Sequence, residues 1–309
     1  MSDNIADTAL AIKEMRIRGA GRIACAGVVA LKEFADGYVG TGFDKFLQDL
    51  ERSKKVLLDS RPTAVSLWNG LHACTKNISK ADSVEEARQL ISDGAKNFVE
   101  MSSKATEAIA KIGARGIQSG DIIMTHCNSS VALGVIKEAH RQGKDIKVYA
   151  TESRPWRQGI ITVNELADTG IDTTLIIDSA VRSVMNNVDK VFVGADTISS
   201  NGSVINKIGT SQLALAADEA RVKFNVCSET YKFSPLTMFG DMVTIEERGY
   251  DEVVKTGEVN SSVKIFNPVF DSTPAKYIDA IITELGIISP GSVYDIMVRQ
   301  LGDSIFDSR

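Results

Sequence analysis

Residues 121–134 read DIIMTHCNSSVALG: Asp121 and the apolar run Ile122–Met124, then Thr125, His126, Cys127, Asn128, Ser129 and Ser130, then the start of a second apolar pattern. A run of that length bounded by polar residues predicts a buried strand, and the spacing of VALGVIKEAHRQG after it predicts a helix. The polar cluster therefore lies where a strand gives way to a helix. A cysteine there has two readings. It is an ordinary buried core residue, or it is a reactive thiol favoured by the dipole and free N–H groups of the helix start.

Downstream the same texture repeats. IKVYATES, a helix over Gln158–Thr169, TTLIID, SAVRSVMNN, KVFVGAD, TSQLALAADEARV and KFNVCSE alternate short apolar runs with helical segments. Four or five βα units in succession predict a Rossmann-like α/β domain, a doubly wound parallel sheet with helices on both faces and its ligand site beyond the carboxyl ends of the strands. Those ends carry TESRP, DSA, GAD and SETYKFSP. TPAKYIDAIITELG near the end reads as an amphipathic helix capped by Thr273 with Pro274 at its first position.

Upstream, as far as about residue 112, apolar residues recur mostly at three and four, with small residues where helices approach closely. The chain thus divides into an α-helical domain over 1–112 and a Rossmann-like catalytic and oligomerisation domain over 113–309. RGAGR interrupts the helical part, and so does SRP, where Pro62 fits the first turn of a helix.

The chain has 309 residues, 43% of them hydrophobic, with 35 Lys and Arg against 40 Asp and Glu and a net charge of −5. Charges of both signs are scattered, which argues against a nucleic-acid or anionic-membrane surface. No apolar stretch reaches a bilayer span, and acids stand where a secretory signal would be basic, so a soluble cytoplasmic protein is expected. The four cysteines at 25, 74, 127 and 227 show no CxxC spacing, and histidines occur only at 72, 126 and 140. Neither a disulfide framework nor a metal site is expected.

Several residues are candidates for chemistry. Asp196, directly after the strand KVFVG, is either a cap or a cleft carboxylate. Asn206, Lys207, Gly209 and Thr210 follow the Asn201-Gly202 turn signal and suit a phosphate grip at a helix start, although Lys207 reads equally as a solvated lysine. Arg16, Arg18 and Arg22 surround two glycines, and Arg61 precedes Pro62 near another helix start. Each signal is weak alone; together they suggest a small ligand with more than one phosphate.

RGAGR, SRPTAV, THCNSS, TESRPWRQG, GADTISSNGSVINKIGT, ETYKFSP and NPVFDSTPAKYIDAIITE occur in an order and spacing that resembles one superfamily. It comprises the 5-methylthioribose-1-phosphate isomerases, the ribose-1,5-bisphosphate isomerases and the regulatory subunits of the translation-initiation guanine-exchange factor. The likeness covers nearly the whole chain. The translation-factor subunits typically lack the cysteine of THC, whereas Cys127 and Asp196 are both present here. The methylthioribose enzymes usually show RGAPAIG where this chain has RGAGRIA, and Asn where it has Ser66, so the bisphosphate isomerases are the nearer group.

The resemblance implies Cys127 and Asp196 as catalytic residues, and phosphate and sugar contacts from Arg18, Gly19, Ala20, Gly21, Arg61, Ser129, Ser130, Asn206, Lys207 and Lys232. Relatives often carry other residues at the positions of Asn128 and Ser130. It further implies no cofactor, AMP as an allosteric activator, and a homo-oligomer, a dimer or a trimer of dimers. Expected chemistry is C2-to-C1 proton transfer through a phosphoenolate, with Cys127 acting as a thiolate. Methylthioribose-1-phosphate isomerisation and a non-catalytic regulatory subunit are the alternatives.

Overall fold

A computed structural model describes residues 3–40 and 42–301. These divide into two compact units, with the division between Ala105 and Thr106. It falls seven residues before the expected end of the helical part, inside a single long helix.

The first unit is helical. Its elements are α1 (Asp3–Lys13), α2 (Ala20–Asp36), α3 (Phe43–Ser60), α4 (Val65–Thr75) and most of α5 (Val84–Ala114). Ile5, Ile23, Leu31, Phe46, Leu50, Leu57, Leu67 and Ile91 form its core, all but inaccessible to solvent. Small residues stand where helices meet: a Cβ on Gly94 would lie 2.9 Å from the Cys74 backbone of α4. Pro62 is not in a helix. It lies in the turn between α3 and α4, because Arg61 leaves the helical region at φ −154° and α4 begins only at Val65.

The second unit holds a seven-stranded sheet. Its strands are β1 (Ile122–Thr125), β2 (Lys147–Thr151), β3 (Asp172–Ile176), β4 (Lys190–Val193), β7 (Lys223–Cys227), β9 (Ala280–Thr283) and β10 (Gly286–Ile288), in the spatial order β10-β9-β7-β4-β1-β2-β3. All neighbours pair parallel except β9 with β10. The helices α6 (Ser130–Arg141), α7 (Gln158–Ala167), the short α8 (Val181–Val184), α9 (Thr210–Ala220) and α10 (Val293–Leu301) complete the unit.

Two-residue periodicity splits the strands between two cores. Met124, Val191, Val193, Phe224, Val226 and Ile281 join α9 and α10 residues on one face. Ile123, Val148, Phe192, Cys227 and Ile282 join α6, α7 and the end of α5 on the other. The doubly wound sheet expected from the alternating texture is thus present.

Two parts of the sheet region differ from expectation. Residues 273–286 are not an amphipathic helix. Thr273 ends the strand β8 (Phe270–Thr273), Pro274 is extended at φ −59°, ψ 141°, and Ala280–Thr283 is β9 beside β7. Ile281 and Ile282 are both buried, on opposite faces. A short apolar run fits either period, and burying two β-branched side chains between packed layers, worth roughly 1.5–3 kcal/mol each, decides for the strand.

The second difference is a three-stranded antiparallel sheet, β5 (Thr197–Ile198), β6 (Val204–Lys207) and β8, in that order. The Asn201-Gly202 signal makes its hairpin: Gly202 sits at φ +80° and the Asn201 side chain accepts from Ser203 N at 2.9 Å. No helix of the described residues is long and apolar enough to cross a membrane.

The sheet's tolerance differs sharply between two of its glycines. A Cβ on Gly159, in the first turn of α7, would lie 1.7 Å from the Thr151 carbonyl oxygen, whereas Gly120 at φ +95° has nothing within 4 Å of that position. Gly159→Ala is expected to destabilise by ~3 kcal/mol through overpacking, and Gly120→Ala by only ~1 kcal/mol of backbone strain. Melting temperatures of the two variants check the order; equal shifts would contradict it.

Candidate active site

Winding starts at β1, moves outward through β2 and β3, then returns to β4 on the other side of β1 and continues through β7 and β9. The reversal opens a crevice at the carboxyl ends of β1 and β4. Cys127 follows β1 and Asp196 follows β4, so the fold sets both candidates at this one switch point. Gly194, next to β4, allows the close approach: a Cβ there would lie 2.3 Å from Ser129 Oγ.

Cys127 has a left-handed backbone, φ +66°. Its N–H donates to Ser153 Oγ at 2.7 Å and its carbonyl accepts from Thr162 Oγ1 at 2.7 Å. Although the residue keeps partial exposure, burial around the thiol pushes its pKa up to about 11. The Lys207 charge and the Asn128 N–H pull it down, while Asp196 and Asp178 push it further up. Desolvation outweighs the helix start and favours the thiol form of Cys127 over the thiolate in the free protein.

Asp196 is partly exposed, and its N–H donates to the Ile205 carbonyl at 3.0 Å. Its carboxylate caps no helix among the described elements. Ser129 is the N-cap of α6, its Oγ accepting from Ala132 N at 3.3 Å, and Ser130 opens the helix, exposed.

Asn206 and Lys207 end β6 rather than beginning a helix, and both are buried. The helix start that follows is already occupied. Asp271 of β8 accepts from Gly209 N at 2.8 Å and from Ser211 N at 3.1 Å, so an internal carboxylate takes the anion position at α9. Burial raises the Asp271 pKa to about 6 against the pull of those N–H groups. Asn206 Nδ2 donates to Thr210 Oγ1 at 3.0 Å, and the Lys207 ammonium lies over the Phe270 ring, 5.3 Å from its centroid.

Lys232 is not a solvent-facing cation. It is buried in an ion pair with Glu229 at 2.7 Å, and Glu229 also accepts from Tyr231 OH at 2.9 Å. Burial opposes the charge of Glu229, but Lys232 and the tyrosine hydroxyl hold its pKa below the usual value.

In the first unit, RGAGR and SRPTAV converge. Gly19, at φ +87°, is the N-cap of α2, with Ala20 and Gly21 in its first turn. Arg18 Nε donates to Met15 O at 2.6 Å and Arg61 Nη1 lies 3.8 Å from Met15 Sδ. Arg61 stands at the carboxyl end of α3 and just ahead of α4, its carbonyl accepting from Ala64 N at 3.0 Å. Ser66, whose signal was only that it differs from a related motif, ties the two stretches together by donating to Ala20 O at 2.9 Å.

Sequence reasoning named His126 only as a flank of Cys127, and gave no role to Thr151, Ser153, Thr162 and Asp178, which also surround Cys127, or to Gln158. The Oε1 atom of Gln158 is buried with no hydrogen-bond partner among the described residues. TESRP and DSA at the ends of β2 and β3 were the available signal, because every strand end in such a sheet borders the crevice edge. Among the described residues no group of histidine, cysteine and carboxylate side chains is arranged to hold a metal ion.

The pattern of the Initiation factor 2 subunit family matches residues 16–290. The chain is 48% identical over 300 residues to a ribose 1,5-bisphosphate isomerase of Archaeoglobus fulgidus, covering 97% of this chain and 94% of that protein. It is 47% identical to the protein of that name from Methanocaldococcus jannaschii, covering 97% and 96%. Among solved structures it resembles a Pyrococcus horikoshii OT3 translation initiation factor eIF-2B, with a TM-score of 0.79, 33% identity and coverage of 94% and 98%. With likeness of this extent in both sequence and fold, the chain belongs to the Initiation factor 2 subunit family.

Proposed function

We propose that this chain is an aldose-ketose isomerase that converts ribose 1,5-bisphosphate to ribulose 1,5-bisphosphate. The observation that carries the proposal is Cys127 and Asp196 at one switch-point crevice, in a chain 48% identical to a relative of that name.

A sugar phosphorylated at C1 has no free aldehyde, so the ring must open with acid help at its oxygen while C1 keeps its phosphate. In the proposed sequence Asp196, protonated, gives its proton to the ring oxygen as the C1–O bond breaks. Cys127, as thiolate, takes the proton from C2, and the electron pair forms the C1–C2 double bond of a phosphoenolate. The thiol then returns its proton to C1 while Asp196 takes the C2 hydroxyl proton, leaving the ketone and both groups as they began. Cys127 and Asp196 thus work with one proton between them. Burial raises the thiol's pKa, so taking the proton off sulfur costs free energy that substrate binding must offset.

Substrate contacts are proposed for Ser129, Ser130, Asn206 and Lys207, and, as the family resemblance implies, for Arg18, Gly19, Ala20, Gly21 and Arg61. Lys232 would reach a phosphate only by sharing its ammonium with Glu229. AMP activation and a homo-oligomeric state are further proposals of the same resemblance.

The test incubates purified protein with ribose 1,5-bisphosphate and, separately, methylthioribose 1-phosphate, each with and without AMP, and follows ketose formation. Turnover of the bisphosphate is expected; turnover of the other sugar alone, or of neither, would overturn the proposal. Cys127→Ser and Asp196→Asn should each lower kcat by at least ~10²-fold.

A shared proton also sets the pH profile. Below the thiol's pKa of about 11 the shared proton is retained, so kcat/KM should be level from about pH 7 to about 10, above the substrate's phosphate titration near 6. A steady tenfold rise per pH unit across that window would mean that Cys127 must lose its proton to solvent, which contradicts the shared-proton scheme.

A further inference from the structure

Cys127 and Ser153, the residues that turn the chain after β1 and β2, are both left-handed, at φ +66° and +60°. Such a conformation is strained for a residue with a Cβ, by about 1–3 kcal/mol, and persists where neighbours over-determine it. The Cys127 peptide is held from both sides. Its N–H is bound by the Ser153 hydroxyl at 2.7 Å, and its carbonyl by the Thr162 hydroxyl of α7, also at 2.7 Å. Ser153 and Thr162 are wholly buried. Asn128 Nδ2 donates to Thr162 Oγ1 at 3.1 Å, so the clamp closes on the next residue as well.

Both hydroxyls are themselves oriented. His126 Nε2 lies 2.9 Å from the Ile208 carbonyl, which can only accept, so Nε2 carries the proton and Nδ1 accepts from Thr151 Oγ1 at 2.6 Å. Burial lowers the His126 pKa, which favours the neutral ring. With its proton committed to the histidine, Thr151 accepts from Ser153 Oγ at 3.2 Å. That leaves a Ser153 lone pair for the Cys127 N–H. Asp178 fixes the Ser153 backbone, accepting from Ser153 N at 2.8 Å and Arg154 N at 2.7 Å.

A strand, a left-handed residue and a helix in succession present the middle side chain at the top of the sheet, the logic of a nucleophile elbow. We infer that Ser153 and Thr162 are positioning residues for Cys127: their hydroxyls clamp its left-handed peptide and so fix where the thiol stands in the crevice. The inference rests on the role proposed for Cys127. Neither hydroxyl reacts; each acts through the cysteine backbone.

The experiment makes Ser153→Ala, Thr162→Val and Thr162→Ser in the full chain and measures kcat, KM, melting temperature and the pH dependence of Cys127 alkylation by iodoacetamide, localised by mass spectrometry. Ser153→Ala and Thr162→Val should lower kcat about tenfold or more with KM changed less than about twofold, as misplacement of a reacting group does. Both should shift the alkylation profile, and Thr162→Ser should restore both readouts. Unchanged kcat and alkylation, or a Thr162→Ser variant as impaired as Thr162→Val, would overturn the inference. Should Cys127→Ser retain full turnover, the reading of the cysteine as catalytic fails. The alkylation profile still decides whether the clamp holds it.

Discussion

A parallel sheet wound outward in both directions from one strand has a single place where consecutive crossovers part, and everything distinctive about this chain follows from that constraint. With β1 next to β4, the segments leaving their carboxyl ends cannot be covered by the same helix. Polar groups there remain reachable from solvent while the strands beneath them are buried on both faces. Cys127 and Asp196 inherit their proximity from topology and not from closeness in the chain, being 69 residues apart by number.

The same arrangement explains why the charges around the crevice are so heavily managed. A group set above two packed cores loses solvation, and each one here carries a specific compensation. Burial favours the neutral Cys127 thiol, Lys232 and Tyr231 favour the Glu229 carboxylate, and Asp271 sits on the amino end of α9. Helix starts in this unit are consequently not uniform anion sites. That of α6 is capped only by the small Ser129, whereas that of α9 is filled from within.

Much of the architecture was legible because local and global signals agree. Alternating strand and helix texture and the Asn201-Gly202 turn each have one strong local reading, and the fold uses it. The segment at 273–286 misled because Ile281 and Ile282 satisfy either period, and only their neighbours β7 and β10 decide between them. Cys127 and Asp196 were visible as polar residues ending apolar runs. Ser153 and Asp178 were visible only as members of the TESRP and DSA clusters, and Thr162, a hydroxyl inside a helix that binds a distant backbone, has no periodic or compositional mark. Nor could sequence distinguish a phosphate-seeking lysine from Lys232, whose partner lies three residues away on a turn of irregular backbone.

Asp271 has a further consequence for how the unit comes together. The carboxylate that completes α9 arrives on β8, 60 residues after the helix's own first turn, and the same strand pairs with β6. Until that late segment is in place, two N–H groups at the helix start and one edge of β6 lack their native partners. Closing so long a loop costs chain entropy, which the β6–β8 pairing and the two N–H bonds to Asp271 must offset together. In chain order β1 to β4 are complete well before the segment that finishes the wall around Lys207, so that wall is supplied from the far end of the unit.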